Sequence, residues 1–290
     1  MTTQPDHGAH DPIAIICGGG SLPAAVAAAA ENRGRRPVML GIKGWADPKI
    51  VEPHLHHWVA LGQAGRLIRL ARSEGCREAV FIGALLRPPV TRLRLDWLTI
   101  KLMPRLLRSF RGGDDHLLSG VARLFDENGL RIIGLGELAP EVFVPEGALG
   151  ALTPVQRDKD DIARALDVIA ALGPFDVGQG AIVADNRVLA VEAAEGTDNM
   201  LSRIAELRAQ GRVTTPRGIG VLVKAPKPGQ DRRFDLPAIG RRTLENAARA
   251  GLAGVAVVAG GTIIAEPNDA IAAADRAGIF LVGVRGAGPR

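Results

Sequence analysis

Apolar segments of strand length alternate with helical segments through the first half of the chain. The clearest is Ile13–Cys17, an uninterrupted apolar run that leads into three glycines and an alanine-rich helix. Apolar strands that alternate with helices are typical of a parallel sheet covered on both faces. Further strands are predicted at 37–42, 79–83 and 130–135, and further helices at 65–74 and 114–127. The first half is therefore predicted to be a βαβ-type domain.

The second half continues the alternation and adds a predicted hairpin. Apolar segments 180–184 and 188–192 flank Asp185-Asn186, a dipeptide that favours a tight turn. Further helices are predicted at 159–172, 198–209, 242–249 and 268–277, and further strands at 220–224, 255–258 and 279–282. The predicted organisation of this α/β chain is a polar leader (1–11), a Rossmann-like N-terminal domain (12–136), a linker containing proline and glycine (137–154) and a distinct mixed α/β catalytic domain (155–290).

Composition excludes several classes of function. Aromatic residues make up 3% of the chain and tyrosine is absent, so base stacking on aromatic platforms is not expected. The net charge of +5 is too small to indicate nucleic acid by itself, although it suits anionic small molecules or an anionic membrane surface. Cys17 and Cys76 fit no metal or redox spacing and are expected to be unpaired thiols in a reducing compartment. The leader lacks the apolar stretch of a signal peptide, so a cytoplasmic location is expected.

The glycine-rich turn after the first strand is a candidate anion site. Glycines let a backbone approach a phosphate closely, and the start of the next helix offers free N–H groups and the positive end of its dipole. Gly19, Gly20, Ser21 and Leu22 are therefore candidate substrate-binding residues. The alternative is a tight structural turn with Ser21 as the helix cap. Pro23 stands where a dinucleotide fingerprint needs its third glycine, which argues against a dehydrogenase.

Charged segments later in the first half each allow two interpretations. The stretch 85–111 combines basic residues with Leu, Ile, Met and Trp97, so it predicts either an ordinary surface helix or a segment that meets an anionic membrane or an acyl chain. Asp114 and Asp115 could hold a divalent metal or complement a helix dipole. The histidines in 54–57 are interpreted as partly buried residues at a strand edge.

In the second half, acids and glycines gather around a strand start and a helix start. Gln179 and Gly180 lie at the start of one predicted strand, while Glu192, Glu195 and Thr197 follow the next. Thr197 or its neighbour could cap the following helix. The two glutamates adjoin an apolar run, which makes them candidates for ligand binding or metal positioning.

The loop 224–237 is the most informative segment. Its prolines and glycine disfavour a helix, and beginning at Lys224 it gathers four cations and two carboxylates within twelve residues. If the loop is locally extended, Asp231, Arg233 and Asp235 project to one side because side chains alternate. Cations would neutralise diphosphate oxygens, and carboxylates would hold Mg²⁺ or orient water, as phosphoryl transfer requires. The alternative is a solvated charged loop.

Five motifs in this order resemble the UDP-2,3-diacylglucosamine pyrophosphatase family of lipid A biosynthesis, once known only as a domain of unknown function. They are GGGSLP (18–23), GDD (113–115), DVGQG (176–180), EAAEGTD (192–198) and KPGQD with RFDLPAIG (227–240). Asn199 departs from the small residue usual after EGTD. The resemblance implies a Rossmann-like domain, a second α/β domain and a ligand held between them. It also implies Mg²⁺-dependent hydrolysis of UDP-2,3-diacylglucosamine to UMP and 2,3-diacylglucosamine 1-phosphate.

The resemblance also implies roles for individual residues. Asp235 matches the acid expected to be essential, either as a metal ligand or as the base that orients water. Lys224 and Gln179 match expected contacts to the diphosphate or the sugar, and Lys224 would stabilise developing charge. Asp231 and Glu195 would assist, with Glu195 as a second metal ligand.

The resemblance favours a membrane as a further partner. A diacylated substrate comes from a membrane, so the basic stretch is expected to dock at the inner leaflet, with Arg105 and Arg108 as contacts. Two rival functions are another nucleotide-sugar enzyme and a non-enzymatic carrier whose charged loop only grips a diphosphate. The sequence leaves the oligomeric state open, a homodimer included.

Overall fold

The computed structural model describes residues 11–85, 94–101, 114–175, 177–227, 231–234 and 236–286, with the backbone alone at 114–119. The chain divides into two compact units. Unit 1 comprises residues 1–140 and 231–235, and unit 2 comprises residues 141–230 and 236–290. The segment 231–235 therefore belongs by its contacts to unit 1, although the chain on both sides of it belongs to unit 2.

Unit 1 is built on a parallel sheet. Its strands are β1 (Ile13–Cys17), β2 (Pro37–Ile42), β3 (Leu55–Val59), β4 (Glu78–Ile82) and β5 (Arg131–Ile132). Their order is β3-β2-β1-β4-β5 with every pair parallel, which is the order of the first five strands of a doubly wound sheet. The helices are α1 (Leu22–Asn32), α2 (Pro48–Val51), α3 (Ala64–Ser73), α4 (97–101), α5 (Asp114–Glu127) and α6 (Leu135–Leu138).

The core of unit 1 lies around β1 and β2, in which every residue is buried. Strands that are apolar along their whole length must be covered on both faces, since neither set of side chains can face water. Ile68 of α3 and Phe125 of α5 pack into one core cluster with Ile16 and Leu40. The strand order leaves β3 at one edge of the sheet, with the partly buried His56 and His57 on it, as the sequence predicted.

Unit 2 is built on a mixed sheet. Its strands are β6 (Gly147–Ala148), β7 (Gly180–Ala184), β8 (Arg187–Val191), β9 (Val221–Lys224), β11 (Gly254–Val258) and β13 (Phe280–Val284), and a separate parallel pair is β10 (Ala238–Ile239) with β12 (Ile263–Ile264). The helices are α7 (Gln156–Leu172), α8 (Gly196–Ala209), α9 (Arg241–Arg249) and α10 (Pro267–Ala277). Short 3₁₀ turns lie at Pro140–Val142 and Gly173–Phe175.

The strand directions in unit 2 bring several chain ends to one edge of the sheet. The order is β6-β13-β11-β9-β7-β8, in which β9, β11 and β13 are parallel while β7 runs antiparallel to both β8 and β9. The carboxyl ends of β8 and β9 therefore lie at the same edge as the amino end of β7. Helices cover both faces, with α7 packed on one cluster and α8, α9 and α10 on the other.

The α/β class and the division into two parts are confirmed. The predicted hairpin is confirmed as well, since Asp185 and Asn186 both have positive φ and join β7 to β8. Asp161, which is completely buried on α7, accepts hydrogen bonds from both turn N–H groups. The predicted linker 137–154 contains the Pro140–Val142 turn and β6, which pairs with β13.

The predicted strand 130–135 is wrong in its length. Only Arg131 and Ile132 pair with β4. The side chain of Glu137 accepts a hydrogen bond from the Gly134 N–H at 3.0 Å, which starts a helical turn instead of continuing the strand.

Candidate active site

The turn between β1 and α1 is shaped by close backbone packing. The Gly18 N–H donates to the Ile82 carbonyl at 2.8 Å, and the Gly19 N–H donates to the Ala84 carbonyl at 2.9 Å. A Cβ at position 18 would lie 2.6 Å from the Ala84 oxygen, so glycine is required there. Two of the backbone donors in this turn are therefore already bonded, one to the last residue of β4 and the other to Ala84 just beyond it.

The remaining part of that turn is open. Gly20 has φ +94°, and none of the described atoms lies within 4 Å of where its Cβ would be. Ser21 occupies the N-cap position of α1 but makes no side-chain capping bond. Ser21 is thus the N-cap residue, as the alternative prediction has it, but its hydroxyl forms no capping bond. An anion at this turn would meet Gly20, Ser21 and Leu22 rather than the N–H of Gly19, at the positive end of α1.

In unit 2, a hydrogen-bonded chain of three side chains lies at the edge of the sheet where both β8 and β9 end. Lys224 is the last residue of β9, and its side chain is only 8% exposed. Its Nζ donates to Thr197 Oγ1 at 2.7 Å, and Thr197 Oγ1 donates to Glu192 Oε1 at 2.8 Å. The second oxygen of Glu192 lies 4.0 Å from Nζ. A buried cation is thus held at the carboxyl ends of parallel strands, the usual place for ligands in such sheets.

The start of β7 completes this edge. Gly180 pairs with Lys224, and the carbonyl of Gln179 accepts from the Ala225 N–H at 3.0 Å. A Cβ at Gly180 would lie 2.6 Å from Glu192 Oε2. Four predicted site residues, Gln179, Gly180, Thr197 and Lys224, therefore belong to one local cluster.

Glu195 is directed to a different partner. Its carboxylate accepts a hydrogen bond at 2.7 Å from Arg203, which lies about two turns further along α8. Hydrogen bonding to its own backbone N–H and pairing with Arg203 lower the pKa of the Glu195 carboxyl. We call Lys224, Thr197 and Glu192 the Lys224 cluster, and none of the described contacts joins Glu195 to it. The neighbouring Asp198 accepts from Asn246 at 2.8 Å and so links α8 to α9.

The charged loop is not extended at 231–234. The Phe234 N–H donates to the Asp231 carbonyl, and the Asp231 carboxylate accepts from both the N–H and the guanidinium of Arg233. The extended conformation on which the predicted alternation of Asp231 and Arg233 depends is therefore not formed, because this side-chain bond favours a turn. Phe234 packs at 5.1 Å from the Phe81 ring in the core of unit 1. Asp235 lies outside the described residues.

Family models match both parts of the chain: the LpxI N-terminal domain over residues 12–142 and the LpxI C-terminal domain over residues 145–282. The chain belongs to the LpxI family. A relative from Caulobacter vibrioides, UDP-2,3-diacylglucosamine pyrophosphatase LpxI, is 41% identical over 272 residues, which cover 94% of this chain and 97% of the relative. The resemblance drawn from five motifs is confirmed, and with it the assignment of the chain as an enzyme of the hydrolase class.

A resident metal site is not supported by the part of this LpxI chain that the structure describes. Within those residues, no group of three or more His, Cys, Asp or Glu side chains could hold a metal ion. Arg233 binds the Asp231 carboxylate, and Arg203 binds that of Glu195. The side chains of Asp114 and Asp115 lie outside the description, as does Asp235. Metal ligation by Asp235 and Glu195 stays a prediction.

Part of the basic stretch is described, and it exposes large apolar side chains. On α4, Trp97 is 77% exposed and Ile100 is 50% exposed. Asp96 caps this helix by accepting from the Thr99 N–H at 2.9 Å. Arg105 and Arg108 lie outside the described residues. Among the described helices, none is long and apolar enough to cross a membrane.

Glu192 is the residue whose place the sequence prediction missed. The local sequence makes both Glu192 and Glu195 candidates, and the family resemblance points to Glu195 alone as a metal ligand. The discriminating signal is strand register: the Glu192 N–H donates to the Gly180 carbonyl at 2.8 Å, so Glu192 continues the pairing of β8 with β7. A glycine opposite a glutamate in paired strands leaves room for the carboxylate, and DVGQG with EAAEGTD contains that pair.

Proposed function

We propose that this LpxI-family chain hydrolyses UDP-2,3-diacylglucosamine to UMP and 2,3-diacylglucosamine 1-phosphate in lipid A biosynthesis. The observation that carries the proposal is the 41% identity, over 94% of the chain, to a relative named for this pyrophosphatase activity. The buried Lys224 supports it, because a cation at a strand end suits a diphosphate.

The reaction transfers a phosphoryl group to water. The water oxygen bonds to one phosphorus as the bond from that phosphorus to the bridging oxygen breaks, and the other phosphate leaves with the bridging oxygen. In our proposal, Lys224 neutralises charge that grows on the diphosphate during this step. Asp235 would orient the attacking water and accept its proton, or it would help to hold a metal ion. Asp231 assists by shaping the turn that precedes Asp235.

The other predicted site residues would bind the substrate. Gly20, Ser21 and Leu22 would supply backbone donors at the start of α1, and Gln179 would contact the diphosphate or the sugar. We propose that the reaction requires Mg²⁺, which would reduce the negative charge of the diphosphate. Glu195 stays in this proposal only as an assisting acid, since Arg203 already binds it.

The test is the reaction itself, followed with purified protein and UDP-2,3-diacylglucosamine. Equal amounts of UMP and the lipid 1-phosphate should appear with Mg²⁺ and be lost with EDTA. Binding of the substrate without either product would favour the carrier, and dependence on an added acceptor would favour a transferase. Asp235→Ala should lower kcat by about 10³-fold or more, as expected when an essential group is removed. A variant with near-normal kcat would exclude Asp235 from the mechanism.

We also propose that the exposed face of α4 meets the inner leaflet that supplies the lipid substrate. Trp97 and Ile100 are exposed beside the exposed cations Arg94 and Lys101, a combination that suits the interface of an anionic bilayer.

Cosedimentation with liposomes that contain anionic lipid tests this contact. Trp97→Ser with Ile100→Ser should weaken binding, and Arg105→Glu with Arg108→Glu should weaken it as well. Phe175→Ser is the matched control, because Phe175 is also exposed but lies in unit 2. Equal binding by all the variants would exclude the contact.

A further inference from the structure

The hydrogens in the Lys224 cluster can be assigned from the chemistry of its members. A lysine ammonium only donates hydrogen bonds, and an ionised carboxylate only accepts them. Thr197 has one hydroxyl hydrogen, so at 2.7 Å from Nζ and 2.8 Å from Oε1 it must accept from Lys224 and donate to Glu192. The chain therefore has one direction, from the ammonium through the hydroxyl to the carboxylate.

We infer that Glu192 is a positioning residue that fixes the ammonium of Lys224 through Thr197. This inference rests on the proposed function for its catalytic consequence, since it concerns the cation assigned to the diphosphate. Glu192 itself does not contact the reacting atoms in this assignment. It fixes the hydroxyl that Lys224 donates to, and it places a negative charge 4.0 Å from Nζ.

The surroundings of Glu192 support a specific placement rather than solvation. Its side chain is only 12% exposed, and Oε2 is buried without a hydrogen-bond partner among the described residues. Burying part of a carboxylate in this way is costly unless a nearby charge offsets it. Lys224 is that charge. The space for Oε2 exists because residue 180 is glycine.

The same assignment changes the role of Thr197. Its single hydroxyl hydrogen is donated to Glu192, so the side chain cannot donate to a phosphate oxygen while the chain is intact. Thr197 thus acts on the diphosphate through Lys224. Removal of the hydroxyl in Thr197→Val should resemble removal of the carboxylate in Glu192→Gln.

The first measurement does not depend on any substrate. Lysine enriched in ¹³C at the ε carbon gives one signal for each lysine, and the Lys224 signal is identified by its loss in Lys224→Gln. That signal should shift in Glu192→Gln and in Thr197→Val. It should keep its position in Glu195→Gln, which removes a carboxylate from the same connection that pairs with Arg203 instead. An unmoved signal in Glu192→Gln, or an equal shift in Glu195→Gln, would overturn the inference.

The second measurement is a kinetic double-mutant cycle. Glu192→Gln should lower kcat by about 30-fold and change KM by less than about threefold, since it disturbs the cation rather than substrate binding. In a Lys224→Gln background, the same change should lower kcat by less than about threefold, because its effect passes through Lys224. A 30-fold loss in both backgrounds would show that Glu192 acts independently. If the wild-type protein releases no UMP, the proposed function fails, while the lysine spectra still decide the positioning of Lys224.

Discussion

Two strand-to-helix connections in this molecule are held in place by different kinds of contact. The β1–α1 turn in unit 1 is built from backbone, with Gly18 and Gly83 in close contact and Ser21 free of any capping bond. The β8–α8 connection in unit 2 is built from side chains, with Glu192, Thr197 and the distant Lys224 in one chain. The contact in the first leaves no room for a Cβ atom on Gly18 or Gly83. The second depends on the opposite charges of Lys224 and Glu192.

This difference decides which substitutions each connection should resist. A backbone contact fails when volume is added, because a main chain cannot move aside as a long side chain can. A buried ion pair fails when one charge is removed, because the other is then left without compensation. Measured free energies of unfolding should therefore separate the two connections.

The largest loss is expected from Lys224→Met. It leaves the Glu192 carboxylate buried without its cation, so the free energy of unfolding should fall by about 3 kcal/mol. The double variant Lys224→Met/Glu192→Gln should recover part of that loss, since no charge is then left alone. Urea unfolding followed by circular dichroism measures both. A double variant less stable than Lys224→Met would show that the pair is not what stabilises this connection.

Gly83→Ala is expected to have the next largest effect. Gly83 has φ +99°, and a Cβ there would lie 2.8 Å from Gly18 C and from Gly19 O. Backbone strain and overpacking together should cost about 3 kcal/mol or slightly less. Tryptophan fluorescence reports this unit alone, because the three tryptophans (45, 58 and 97) all belong to unit 1.

Gly20→Ala is the control for Gly83→Ala. Gly20 also has a positive φ, but its Cβ would meet open space among the described atoms. Only the strain of the left-handed conformation remains, about 1 kcal/mol. The difference between the two variants isolates the contact between the loops. Equal losses would mean that strain alone accounts for both.

Phe234→Ala tests how the loop that begins at Lys224 is anchored at its other end. Phe234 belongs to the core cluster of unit 1 and packs on Phe81. Since it is only partly buried, its loss should cost about 2 kcal/mol, below the range for a fully buried phenylalanine. Tryptophan fluorescence during urea unfolding is the measurement. Phe175→Ala, at an exposed phenylalanine of unit 2, should leave that transition in place, and an equal shift would contradict the anchoring.

The sequence predicted the backbone-built connection more fully than the side-chain-built one. β1, the three glycines and α1 are consecutive, so apolar continuity and glycine content are enough to place them. Only the bonding of Ser21 was undecided, because capping depends on a side-chain torsion that sequence does not specify. The sheet of unit 1 followed in the same way from uninterrupted apolar runs, except for the short β5 and the edge strand β3.

The side-chain-built connection depends on register, which local patterns do not contain. The sequence indicates Lys224, Thr197 and Gly180 separately as site residues, but no local pattern predicts that they lie together. They meet because β7 pairs with β8 on one side and β9 on the other. The same register separates Glu192 from Glu195, which local composition treats alike. The turn at Asp231 was missed for a related reason, since alternation was assumed where a side chain bonds its own backbone.

The smallest effect is expected from Ser21→Ala, and its size is what makes it informative. A serine that caps a helix contributes about 1 kcal/mol, but Ser21 makes no capping bond. Its removal should therefore change the free energy of unfolding of unit 1 by less than about 0.5 kcal/mol. If the Ser21 hydroxyl contacts the substrate in addition to the proposed backbone N–H, KM should still rise by about threefold to tenfold, the cost of one lost hydrogen bond.

Asp47→Ala provides the matched comparison within the same unit. Asp47 is the N-cap of α2, and its side chain accepts from the Lys49 N–H at 2.9 Å. This variant should lose about 1 kcal/mol of stability, measured by the same tryptophan fluorescence. A loss in Ser21→Ala as large as that in Asp47→Ala would mean that the hydroxyl stabilises α1 after all. The β1–α1 turn would then depend on a side chain, as the β8–α8 connection does.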